Sequence, residues 1–176
     1  PLQASMKGGE MRDICLTGLP GCGKGTLARA FVEAAGGDLV AVATGDIARR
    51  ISAESARSGA MAPEDLLRSE LLMAIDAARP AGGAVVVDGL PRKPEQVGWA
   101  QEHLIDPLFV FLDTDPEECE RRLIARGRAD DTPVYAKMRL TEQAALLEQV
   151  LSVWDADWHH MDGNDRDSAL AVLAWL

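Results

Sequence analysis

Short apolar runs, too brief for helices and rich in β-branched residues, alternate along the chain with stretches of helical spacing. Ile14-Cys15-Leu16-Thr17 is the first run. Leu39-Val40-Ala41-Val42-Ala43, Ala84-Val85-Val86-Val87 and Leu108-Phe109-Val110-Phe111-Leu112 follow, and Trp158-His159-His160-Met161 is a weaker fifth. Runs that are apolar at nearly every position, rather than at every second one, suit strands buried on both faces. Strands alternating with helices therefore predict an α/β fold: a five-stranded parallel sheet with helices on both faces, in three layers.

The intervening stretches carry start and stop signals. Thr26 to Val32 has helical spacing and meets a stop at Gly36-Gly37. Ile47 to Ser58 is helix-like until Gly59. Pro63 opens a helix with Glu64 and Asp65 in its first turn, and Leu66, Leu67, Leu71, Ala74, Ile75 and Ala78 form its apolar face. After the fourth run, Thr114 or Asp115 is the expected N-cap, with Pro116 at the first helical position. Glu117→Arg121 and Glu118→Arg122 have the favourable i,i+4 order, and Arg126 and Arg128 are expected in the loop beyond. Pro133 begins a long helix to about Trp154, with Met138, Leu140, Ala144, Leu147 and Leu151 facing the core. Ser168 to Leu176 reads as the closing helix.

The chemistry sits where the strands end. The first run leads into Gly18-Leu19-Pro20-Gly21-Cys22-Gly23-Lys24-Gly25-Thr26 and then directly into a helix. A loop without β-carbons lets successive N–H groups converge on one anion, and the helix start adds its positive dipole end. Lys24 adds a point charge that can reach outer phosphates. Strand, phosphate loop and helix are the reading. Thr44-Gly45-Asp46 follows the second run and Asp88-Gly89-Leu90-Pro91-Arg92 the third. For Asp88, the residues alone leave open a magnesium-orienting carboxylate or a plain Asp-Gly turn. Ligands of such a sheet bind at the carboxyl ends of its strands, where all three signatures lie.

Composition narrows the partners. The 176 residues carry 18 basic against 28 acidic side chains, a net charge of −10, which argues against a nucleic-acid-coating or membrane-surface protein. Cys15, Cys22 and Cys119 have neither disulfide-framework nor zinc spacing, and a reduced, cytoplasmic protein is expected. His103, His159 and His160 lack metal-ligand spacing. Residues 1–10 read as a loose tail or appended remnant, and 11–176 as one domain.

Five ordered motifs together carry a resemblance. The phosphate loop ending Gly-Lys-Gly-Thr, Thr44-Gly45-Asp46, Asp88-Gly89-Leu90-Pro91-Arg92, Gln96, and Arg126-Gly127-Arg128-Ala129-Asp130-Asp131 follow the order and character of the adenylate kinases. The likeness spans about residues 12 to 140. It implies a phosphate-loop NTPase fold with an acceptor-binding insert at about 44–80 and a minimal lid at about 126–131, both short for the family. It implies magnesium-dependent phosphoryl transfer from ATP to AMP, giving two ADP.

Residue by residue, the resemblance puts Gly21, Cys22, Gly23, Lys24, Gly25 and Thr26 on the ATP phosphates, with Arg122 and Arg126. It puts Thr44, Arg49, Gly89, Arg92 and Gln96 on AMP, with Gln96 reading adenine. Arg128 and Arg139 serve the acceptor side and the transfer itself. Asp88 orders water on magnesium, and no residue binds the metal directly. Lys24, Arg92, Arg126, Arg128, Arg139 and Asp88 are the catalytic set. A monomer is implied, with ATP and AMP as substrates and no nucleic acid or membrane partner. A UMP, CMP or other small-molecule kinase of the same fold stands as the alternative, and a nucleotide-binding or ATPase module without efficient transfer as another.

Overall fold

The computed structural model describes residues 11–51, 64–128, 131–153, 158–165 and 172. In chain order the elements are β1 (Ile14–Gly18), α1 (Lys24–Ala35), β2 (Leu39–Ala43), α2 (Thr44–Ile51), α3 (Glu64–Ala78), β3 (Ala84–Asp88), α4 (Glu95–His103), β4 (Leu108–Asp113), α5 (Pro116–Arg126), α6 (Pro133–Val153) and β5 (Trp158–Asp162). The strands form one parallel sheet in the order β2-β3-β1-β4-β5. The weak fifth run is therefore a strand, pairing Phe109 with Trp158 through Asp113 with Asp162.

Because successive side chains point to opposite faces, each strand feeds two cores. Ile14, Leu16, Val86 and Val110 pack with Leu27 and Phe31 of α1, Leu123 of α5 and Leu140 of α6. Cys15, Val85, Val87 and Phe109 face Leu67, Leu71 and Ile75 of α3 and Val97 and Ala100 of α4. These are the three layers. Helices on both faces explain why the central strands read as unbroken apolar runs: Ile14 to Leu16 and Ala84 to Val87 are all fully buried.

Several local expectations change. α2 starts at Thr44, so Thr44-Gly45-Asp46 forms the helix's first turn instead of a loop before it. On α3 the buried stripe is Leu67, Leu71 and Ile75, four apart, and Leu66 is 46% exposed because it lies one residue round from that stripe. Asp115 is the N-cap of α5, its carboxylate accepting the Glu117 N–H at 2.7 Å. Arg121 pairs with Glu118, which Arg122 shares, and Arg126 is the last residue of α5. On α6, Ala136, Leu140 and Val150 are buried, while Met138, Ala144, Leu147 and Leu151 are half-buried. The tail over 1–10, residues 52–59 of the second helix-like stretch and, apart from the buried Val172, the expected helix over 168–176 fall outside the described residues.

The opposite end of the sheet is tied by one buried carboxylate. Asp13, fully buried, accepts both terminal nitrogens of Arg79 at 2.7 Å, the Val85 N–H at 2.9 Å and the Ile105 N–H at 2.8 Å. It joins the segments entering β1, β3 and β4. Removing one member of a buried pair strands the other, at about 3–5 kcal/mol. Asp13→Ala should lose that much in urea unfolding, and a loss below about 1 kcal/mol would contradict this role.

Candidate active site

The chain leaves β1 toward β2 and β3 on one side and later toward β4 and β5 on the other. A crevice must open at the carboxyl end of β1, between connections that turn away from each other. The glycine-rich loop fills its floor. Packing there is close: a β-carbon on Gly21 would lie 2.4 Å from the Cys119 carbonyl oxygen, so the loop can rest on α5 only without one. Gly23 is the N-cap of α1, and no side chain caps that helix. Its first turn is left to an anion.

Lys24 lies over its own loop, Nζ donating to the carbonyls of Gly18 at 2.9 Å and Leu19 at 2.8 Å. Across the crevice a β-carbon on Gly25 would stand 3.1 Å from Asp88 Oδ2. The Gly after Lys24 thus lets the start of α1 approach the carboxylate that ends β3.

The opposite wall comes from β2, β3 and the turns after them. Thr44 Oγ1 lies 3.0 Å from both the Asp88 and Gly89 carbonyl oxygens, to which it can donate, pinning the start of α2 to the end of β3. Arg49, one turn along α2, pairs with Asp46. Arg92 donates from Nε to the Gly89 carbonyl at 2.9 Å. Gln96, 2% exposed, accepts the Arg92 backbone N–H at 2.7 Å.

The third side carries α5 and α6. Asp131, its carboxylate fully buried, accepts Arg126 Nε at 2.7 Å and Nη2 at 2.8 Å, and Arg139 Nη1 at 3.2 Å. One carboxylate thereby holds arginines from two helices. Arg122 is braced by Glu118 at 2.6 Å and by Asn164 beyond β5.

Together these walls enclose a cleft of about 910 Å³. Of the residues singled out from sequence, Gly21, Gly23, Lys24, Gly25, Thr26, Thr44, Arg49, Asp88, Gly89, Arg92, Gln96, Arg122, Arg126, Arg128 and Arg139 all line it. Cys22 does not: it is fully buried beneath the loop, its carbonyl accepting from Thr114 Oγ1 at 3.1 Å.

Residues 17–135 match the profile of the family described as AAA domain. Among curated proteins, the chain is similar to an adenylate kinase of Mycobacteroides abscessus, with 33% identity covering 80% of this chain and 86% of the relative. It is 32% identical to an adenylate kinase of Prochlorococcus marinus, over 93% and 96% of the two chains, and 30% identical to one of Encephalitozoon cuniculi, over 77% and 81%. The chain belongs to the adenylate kinase family. It is a phosphotransferase, a nucleoside monophosphate kinase by kinship.

Within this adenylate kinase family member, the geometry adds residues that sequence reasoning missed. Asp162, Gly163, Asn164 and Asp165 line the cleft beside the phosphate loop, at the carboxyl end of the strand whose run was weakest. The rule that placed the other three signatures at strand ends pointed there too. Asp131 was seen only as part of a motif, not as the anchor of two arginines. Among the described residues no group of three or more His, Cys, Asp or Glu could hold a metal ion, and no helix is long and apolar enough to cross a membrane.

The field in the cleft is that of cations held close. Burial pushes the Arg92 guanidinium down from its ordinary pKa; Asp88 opposes this, while Arg139 and Arg49 add to it. Arg128 is likewise lowered by burial, then by Arg126 and Arg49. Both remain charged; burial is the larger cause of each shift, and the neighbouring guanidinium groups add to it. An anion entering the cleft would offset that added repulsion.

Burial raises the Asp131 carboxyl, but the hydrogen bonds and charges of Arg126 and Arg139 outweigh it and leave the group below the usual carboxylate range. A depressed pKa contributes stability that is complete above the unfolded value and lost as pH falls through the folded one. The difference in unfolding temperature between wild type and Asp131→Asn should be constant from about pH 8 to 5 and shrink below about pH 4. A difference that instead changes between pH 6 and 8 would contradict the pairing.

Proposed function

We propose that the chain transfers the terminal phosphoryl group of magnesium-bound ATP to AMP, giving two ADP. The observation that carries this is the meeting of an uncapped helix start, Lys24 and the arginines Arg49, Arg92, Arg122, Arg126, Arg128 and Arg139 around one cleft. Joining two anionic substrates in line requires little covalent help from the protein. The barrier is repulsion, and permanently charged planar donors suit it.

In this reading Gly21 to Thr26, with Arg122 and Arg126, hold ATP. Lys24 exchanges its loop carbonyls for phosphate oxygens, and Cys22 contributes backbone alone. Thr44, Arg49, Gly89, Arg92 and Gln96 hold AMP, and Arg128 and Arg139 bridge the two phosphates. The acceptor already carries its charge, so no general base is invoked.

The residues fit a magnesium ion held mainly by phosphates and water. Asp88 stands against the start of α1, where its carboxylate would order water on the ion, and Mg²⁺ ordinarily keeps several waters instead of a full protein cage. When bound, the ion neutralises charge on the phosphates. One chain supplies both sites, and we take it to act as a monomer in the cytoplasm.

A coupled assay of ADP formation with AMP, CMP, UMP, GMP or no acceptor tests the reading. Magnesium-dependent turnover with AMP far above the others is expected. A preference for UMP or CMP, or hydrolysis without an acceptor, would overturn it. Lys24→Met and Arg92→Ala should each lower kcat about 10²–10³-fold with the circular dichroism spectrum unchanged, because each removes charge from a phosphate. Near wild-type rates in either would refute its assigned role.

A further inference from the structure

Gln96 occupies a buried position in which both ends of its amide are spoken for. Its Oε1 accepts the Arg92 N–H at 2.7 Å, and its Nε2 donates to Glu64 Oε1 at 2.9 Å. A backbone N–H can face only the oxygen end, and a carboxylate oxygen only the nitrogen end. The two contacts agree on one orientation. Flipping the amide would break both and set NH₂ against N–H and carbonyl oxygen against carboxylate.

Glu64, at the first turn of α3, is itself held. Arg68 Nε lies 3.0 Å from its Oε1, and Lys93 Nζ lies 3.1 Å from its Oε2 as an ion pair. Oε2 has no aligned hydrogen-bond donor among the described residues. Burial raises this carboxyl, but the contacts from Gln96, Lys93 and Arg68 prevail and keep it below the ordinary range. At neutral pH it is a carboxylate and can only accept.

We propose that Glu64 is a positioning residue that locks the Gln96 amide in one sense, so that the acceptor site takes a 6-amino purine and rejects a 6-oxo purine. This rests on the reading of the site as an AMP site. Adenine offers a ring-nitrogen acceptor beside an exocyclic N–H donor, whereas hypoxanthine reverses both. A primary amide free to rotate could match either. With its ends fixed by Arg92 and Glu64, the remaining N–H and lone pair of Gln96 match only one order, and the wrong base leaves buried polar groups unpaired.

The test compares AMP with inosine monophosphate as acceptors, which differ at this edge alone. In Glu64→Gln the new amide can donate or accept, so the constraint on the nitrogen end is lost and the Arg92 N–H alone is left to orient Gln96. The ratio of kcat/KM for AMP over inosine monophosphate should fall about tenfold or more, the worth of one to two hydrogen bonds, mainly through KM. Glu64→Met, of similar length and without an acceptor, should lower the ratio likewise and serves if the first variant does not fold. A merely structural role would slow both acceptors in proportion. A folded variant with an unchanged ratio would therefore overturn the proposal. A wild-type enzyme that does not prefer AMP would instead overturn the acceptor assignment beneath it.

Discussion

Guanidinium groups gathered in one cleft repel each other, and the arrangement of this molecule depends on the carboxylates that hold them there. Asp131 anchors Arg126 and Arg139 from two helices, Glu118 and Asn164 brace Arg122, Asp46 pairs with Arg49, and Asp88 favours the charged form of the buried Arg92. None of these partners is redundant with the substrates' charge. They hold the arginines close enough to act together yet leave the cleft cationic, in a protein whose net charge is −10. Arginines are gathered where phosphates would meet.

The sheet supplies the frame on which that balance is built. Placing β1 between β3 and β4 opens a crevice at its carboxyl end, and the same order brings the ends of β2, β3 and β5 to its rim. The close rest of Gly21 on α5 and the approach of Gly25 to Asp88 join the loop to its two neighbours without side chains between them. At the far end Asp13 ties β1, β3 and β4 together. The site is open and charged, and the opposite end of the sheet is closed and paired.

Much of this was legible in the residues because it is local. Apolar runs at 39–43 and 84–87 gave the bounds of β2 and, to within one residue, of β3, since strands buried on both faces carry no competing pattern. Asp115 before Pro116 marked the start of α5. What escaped is non-local or atypical. The Asp131 anchor depends on how α5 and α6 meet, and Glu64 reaches Gln96 across 32 residues and two elements. Thr44-Gly45-Asp46 has turn chemistry, yet it opens α2 because the Thr44 hydroxyl is tied to the end of β3. Leu66 is apolar but lies off the buried stripe of its helix.

The central claim is that one cleft of this chain receives two nucleotides with their phosphates facing. The most direct test is calorimetric binding of a bisubstrate compound in which two adenosines are joined through five phosphates, set against ATP and AMP separately. A single molecule bound per chain, at least about a hundredfold more tightly than ATP, is predicted, since linkage spares the second site its entropy cost. Affinity no better than that of ATP, or two molecules bound per chain, would contradict the account.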